Sequence, residues 1–215
     1  SESQRYRLVT RSDFDGLVCA VLLKQRGIID EISFVHPKDM QDGKVAIGPR
    51  DITTNLPYVP GCHLAFDHHA SEIIRPGAER PANLIIDAGA ASAAGVVYRH
   101  FGGEEAFPTI APAMMAAVDK ADSAQFSRDE ILNPEGWVLL NYLMDARTGL
   151  GRFREFRVSN YQLMMMLIDC CRTMTIDEIL AMPDVKERVS LFFTQHAMFR
   201  TQISPDKIGL LIGPG

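Results

Sequence analysis

"YRLVTRSDFDGLVCAVLLKQRG", residues 6–27, is the stretch that sets the fold. "YRLVT" (6–10) predicts a short buried strand and "RSDFDG" a turn. "GLVCAVLLKQRG" (16–27) predicts a helix with Leu17, Val21 and Leu22 on one face and Gly27 as its stop. Further apolar runs follow at "EISFVH" (31–36), "KVAIG" (44–48), "CHLAF" (62–66) and "NLIID" (83–87). "ASAAGVVYRHFGG" (91–103) is then a helix with Ser92 as N-cap and Gly102 near its end. Short apolar strands alternating with helical patterns give an α/β class, a mainly parallel sheet flanked by helices.

The second half predicts a largely helical C-terminal region. Its segments are 109–122, 127–132, 136–148, 158–173 and 183–203. Ser127 with Glu130, and Thr175 with Glu178, have capping-box spacing. Val185, Val189, Phe192, Phe193, His196 and Phe199 fall on one stripe of the last helix. The expected organisation is one domain over 1–203, with an α/β core to about residue 126. Residues 204–215 would be a linker or the start of a further domain, and "DKIGLLIGPG" reads as a strand.

Charge and cysteine content exclude several classes. The 215 residues carry 22 Lys and Arg against 27 Asp and Glu, a net −5, which argues against a general duplex-DNA binder. A small pocket for a few phosphates stays open. Cys19, Cys62, Cys170 and Cys171 have neither zinc nor disulfide spacing. With no apolar signal core and no apolar run of ~18 residues, a cytoplasmic protein without a membrane span is expected.

Acidic residues recur after the apolar runs: Asp13 and Asp15 in "RSDFDG", Asp51 in "GPRDITTNLP", Asp67 in "FDHH", and Asp119 with Asp122 in "VDKADS". Each has an ordinary reading. "SDFDG" suits a capped turn, Asp51 marks a loop, and "DKADS" suits a solvated helix end. "DHH" after an apolar run is less common, because Asp67, His68 and His69 at a strand exit have no usual structural role. Side chains beyond the carboxyl ends of parallel strands gather on one edge. Acidic groups collected there repel unless cations neutralise them, and carboxylate with imidazole suits Mn²⁺ or Mg²⁺. His36, His63, His100 and His196 read as structural or surface residues, and Arg50, Arg75 and Arg80 as solvated, although one of these three near the acidic cluster could hold a phosphate oxygen bidentately.

Four motifs in order, "SDFDG", Asp51, "FDHHAS" and "VDKADSAQF", resemble the DHH phosphoesterase superfamily over residues 6–126. Within it the chain is most similar to exopolyphosphatase-related and RecJ-like proteins. The resemblance implies a metal-dependent phosphohydrolase with one or two Mn²⁺ or Mg²⁺ ions. It would cut polyphosphate or short oligonucleotides by a metal-activated water. Asp13 and Asp15 would each ligate a metal, Asp51 would bridge, and His68 with Asp119 or Asp122 would complete the set. Asp122 is preferred because "DSAQF" is similar to the family's Asp-Thr-Gly-x-Phe pattern. Asp67 would orient a histidine and His69 would face the substrate phosphate. Gly16 would let backbone N–H groups approach a phosphate, and Arg11 could hold a phosphate oxygen. A homodimer is compatible with this reading.

Two departures stand out. Val9 and Arg11 occupy the upstream positions where relatives carry a His or Asp ligand, and no Gly-Gly-Gly-His segment occurs before Gly215. Arg11 favours the alternative, a catalytically degenerate nucleotide or cyclic-dinucleotide binding module.

Overall fold

The computed structural model describes residues 3–69, 77, 79–145, 148 and 156–202. The expected tail strand, Ala70 and Ser71 of "FDHHAS", Arg75, and the side chain of Phe199 lie outside this set.

The chain forms two compact units, Ser1–Ser123 and Ala124–Gly215. The first is built on five strands: β1 (Tyr6–Thr10), β2 (Ile29–Phe34), β3 (Asp51–Thr54), β4 (Leu64–Asp67) and β5 (Leu84–Ile86). Their order is β2-β1-β3-β4-β5, and every pairing is parallel. Helix α1 (Phe14–Gln25) follows β1, and α2 (Pro37–Gln41) follows β2. Helices α3 (Ala93–His100) and α4 (Pro112–Ser123) complete the unit. The sequence pattern placed one apolar face on α1, but Phe14 to Leu23 are all buried. A helix buried all round needs cover on every side; α1 packs against β2, α3 and α4.

One strand departs from expectation. "KVAIG" is not a strand; the strand is "DITT", residues 51–54. Val45 and Ile47 are apolar for a different reason, since as loop side chains they pack on the small cluster of Val9, Met40 and Leu56. A turn then closes through Asp51 N to Gly48 O at 3.0 Å, and β3 begins at Asp51.

The second unit comprises α5 (Arg128–Leu132), α6 (Gly136–Met144), α7 (Asn160–Thr173), α8 (Ile176–Ala181) and α9 (Pro183–Gln202). Both expected capping boxes form, and Ser159 with Gln162 adds another. Within α9, Val185 and Phe192 are buried while Phe193 is 41% exposed. The buried position between them is Arg188, whose guanidinium donates to the carbonyls of Asp184 and Val158 and stacks over Phe156. His196 is satisfied by the carbonyl of Leu132 at 2.8 Å.

Candidate active site

Parallel strands deliver their carboxyl ends to one edge, and order β2-β1-β3 makes successive connections diverge between β1 and β3. A crevice opens at such a reversal. The chemistry-bearing loops of the first unit meet there.

After β1, Asp13 caps α1 by accepting from Gly16 N at 2.8 Å, and its other oxygen lies 3.5 Å from Arg11 Nε. Asp15, 3% exposed, accepts from Asn55 Nδ2 at 3.1 Å and from the amides of Ala93 and Ala94 at 3.3 and 2.9 Å. Those amides open α3, where unpaired N–H groups favour an anion. Burial, then the charges of Asp122 and Asp13, still push the Asp15 carboxyl well above the usual range.

Asp67 ends β4. Its Oδ1 accepts from His68 N at 2.7 Å, His69 N at 3.0 Å and His69 Nδ1 at 2.9 Å, so one buried carboxylate sets the turn and holds the second imidazole. His69 is more than half exposed and its ring lies 3.9 Å from that of His68. His68 is turned inward, with Nε2 2.6 Å from Asp122 Oδ2 on α4. That nitrogen is buried, yet no N–H···O line of good geometry joins it to a partner. Burial pulls this imidazole's pKa down, but contact with Asp122 and the charges of Asp15 and Asp67 outweigh it, leaving it raised.

The contact brings an imidazole nitrogen and a carboxylate, two metal-ligating groups, to one buried point. Asp67, His68 and His69 can also place ligand atoms within 4.8 Å of one another. A carboxylate and imidazole set of this kind fits Mn²⁺ or Mg²⁺.

Among the expected site residues, the structure thus gathers Asp13, Asp15, Asp67, His68, His69 and Asp122. Asp119 sits one turn back, where Oδ1 accepts from Ser92 Oγ at 2.6 Å and so braces the cap of α3.

Two expectations are corrected. Asp51 is at the amino end of β3, not beyond a carboxyl end, because the strand is 51–54 rather than 44–48. It pairs in register with Arg7 and accepts from that guanidinium at 2.8 and 3.0 Å and from Gly48 N at 2.8 Å. The span to Thr54 at the carboxyl end of the strand is about 10 Å at ~3.3 Å per residue, so Asp51 cannot bridge metals there. Burial would raise its pKa, but Arg7 and Gly48 hold it below the usual value. Gly16 offers no N–H to a phosphate, since Asp13 takes it. It is glycine because a Cβ would stand 1.9 Å from the Arg11 carbonyl oxygen.

Asn55 was missed. It leaves β3 at φ 55°, a left-handed conformation that Asn tolerates better than most side chains. Its amide reaches Asp15, placing it where the β3 loop meets the cluster. The signal in the sequence was Asn before Leu-Pro at a strand end. Arg11, Asn55, Asp67 and His69 all line one cavity of about 430 Å³.

No family model matches the chain, and a search among curated proteins found no match. Among solved structures, it is similar to a pGpG-specific phosphodiesterase, PggH, from Vibrio cholerae, with 61% sequence identity and a TM-score of 0.84. The likeness covers 92% of this chain and 63% of that protein, so the chain spans less than two thirds of its relative's length. The α/β fold is shared. Among the described residues, no helix is long and apolar enough to cross a membrane.

Proposed function

We propose that the chain is the metal-dependent phosphodiesterase portion of a DHH-type enzyme that cleaves short oligonucleotides, with linear pGpG as substrate. The observation that carries this is its 61% identity to a pGpG-specific phosphodiesterase. The cavity supports an oligonucleotide over polyphosphate, because among the described residues Arg11 is its single Lys or Arg lining residue. One guanidinium suits one phosphate; a polyanion calls for several cations.

In the reaction, water oxygen bonds to the bridging phosphorus and the bond from phosphorus to the 3′ oxygen breaks. The 3′ oxygen gains a proton, and two GMP molecules leave. Asp13, Asp15, His68 and Asp122 would hold Mn²⁺ or Mg²⁺, which supplies charge neutralisation at the phosphate and lowers the pKa of a water. Asp67 keeps Nδ1 of His69 protonated by accepting its hydrogen bond, so Nε2 is the ring atom available to take or give a proton near the phosphate. Arg11 offers a planar fork to a phosphoryl oxygen. Asn55 and the start of α3 fix the Asp15 carboxylate.

The test is release of GMP from pGpG by the 215-residue chain with Mn²⁺, halted by a chelator. Tight, Mn²⁺-dependent pGpG binding without cleavage would favour the binding-module alternative, which the Arg11–Asp13 contact of 3.5 Å supports by already offsetting part of the acidic charge.

A further inference from the structure

The part of the cavity that the phosphodiester chemistry does not use is neutral and largely apolar: Pro37 and Gln41 from α2, and Leu56, Pro57 and Tyr58 from the exit of β3. From this we infer that it is the seat of one nucleobase, with the Tyr58 ring as the stacking wall and the Gln41 amide facing the base edge. The inference rests on the phosphodiesterase reading, and it names how that site selects its substrate.

Three features support the seat. Tyr58 is pinned at its far end, its hydroxyl donating to Asn83 Oδ1 at 2.6 Å. Asn83 is fixed in turn by donating to the carbonyl of Cys62 at 3.0 Å. A ring held this way presents a rigid flat surface at small entropic cost, as base stacking needs. Second, Leu56 is buried in the cluster with Val9 and Met40, so the floor is firm. Third, Gln41 carries an amide donor and acceptor with no hydrogen-bond partner among the described residues, at a position that lines the cavity. An amide pair of this kind matches the donor and acceptor pattern on a base edge.

Size and position agree. Ligand pockets span roughly 300–1,000 Å³, and about 430 Å³ is at the small end, suited to one nucleoside rather than a run of several. The seat shares its cavity with Asp67 and His69, so a base held there brings its own phosphate to the reacting groups.

Isothermal titration of the 215-residue chain with pGpG, and with an abasic pGpG lacking one guanine, tests this. Tyr58→Ala should weaken pGpG binding by about 5- to 150-fold, the range for one stacked base. It should leave binding of the matching abasic analogue unchanged. Tyr58→Phe, which keeps the ring, should bind pGpG within a few-fold of wild type, and Gln41→Ala should narrow the preference for pGpG over pApA. Wild-type binding of pGpG by Tyr58→Ala, or an equal loss with both ligands, would overturn the seat. Cleavage with Tyr58-independent binding removes the seat and keeps the phosphodiesterase. Tyr58-dependent binding without cleavage does the reverse.

Discussion

His68 Nε2 stands 2.6 Å from Asp122 Oδ2, buried and without a well-formed hydrogen bond between them. Two distant motifs, one at the end of β4 and one on α4, are thereby joined at a single point. Asp122→Asn should cut Mn²⁺-dependent cleavage of pGpG by at least about 100-fold while circular dichroism shows the fold retained. Its neighbour Asp119 braces Ser92, so Asp119→Ala should lower the melting temperature more than Asp122→Asn does. Differential scanning fluorimetry of the two variants without metal compares them.

Asp67 acts through His69. Asp67→Ala loses the acceptor that fixes the imidazole and its turn, and losses of this type run to roughly 10–100-fold. Steady-state rates on pGpG should show the loss mainly in kcat, since the base seat is left intact.

Arg7 and Asp51 mark the other edge of the sheet, and Asp51→Asn should leave cleavage within about twofold of wild type. Losing a charged, two-bond pair should cost about 2 kcal/mol, or roughly 4–8 °C in melting temperature for a chain of this size. The pH dependence follows from the sign of the shift. The folded pKa of Asp51 lies below the unfolded value near ~3.9, so its contribution is complete above that value and is lost as pH falls through the folded pKa. Melting curves of wild type and Asp51→Asn should therefore differ at pH 7, begin to draw together below about pH 4, and converge once the pH lies below the folded pKa.

Gly16→Ala forces a methyl group to 1.9 Å from backbone that has little room to move. Overpacking of this kind costs about 3 kcal/mol or more. Chemical denaturation should show a large drop in midpoint, or the variant should fail to accumulate as folded protein.

Much of this was legible in the residues, for particular physical reasons. "YRLVT" followed by an acidic turn and a buried helix placed β1 and α1, and "LAFDHH" fixed the end of β4, because buried runs with polar exits have few other uses. Ser92, Ser127 and Thr175 were readable as caps because their spacing to the next donor is local. "KVAIG" and "DITT" were not separable. Val45 and Ile47 supply apolar side chains to a loop cluster, whereas β3 carries two threonines and an aspartate that long-range pairing with β1 and β4 makes extended. That single misplacement moved Asp51 to the wrong edge and hid Asn55, whose role depends on Asp15 forty residues away.

The most direct measurement is the rate of GMP release from pGpG with Mn²⁺, taken side by side for wild type, His68→Ala and Asp51→Asn. The account predicts cleavage by wild type, near-equal cleavage by Asp51→Asn, and a loss of at least about 100-fold in a folded His68→Ala chain. Equal rates in wild type and His68→Ala, or loss confined to Asp51→Asn, would contradict it.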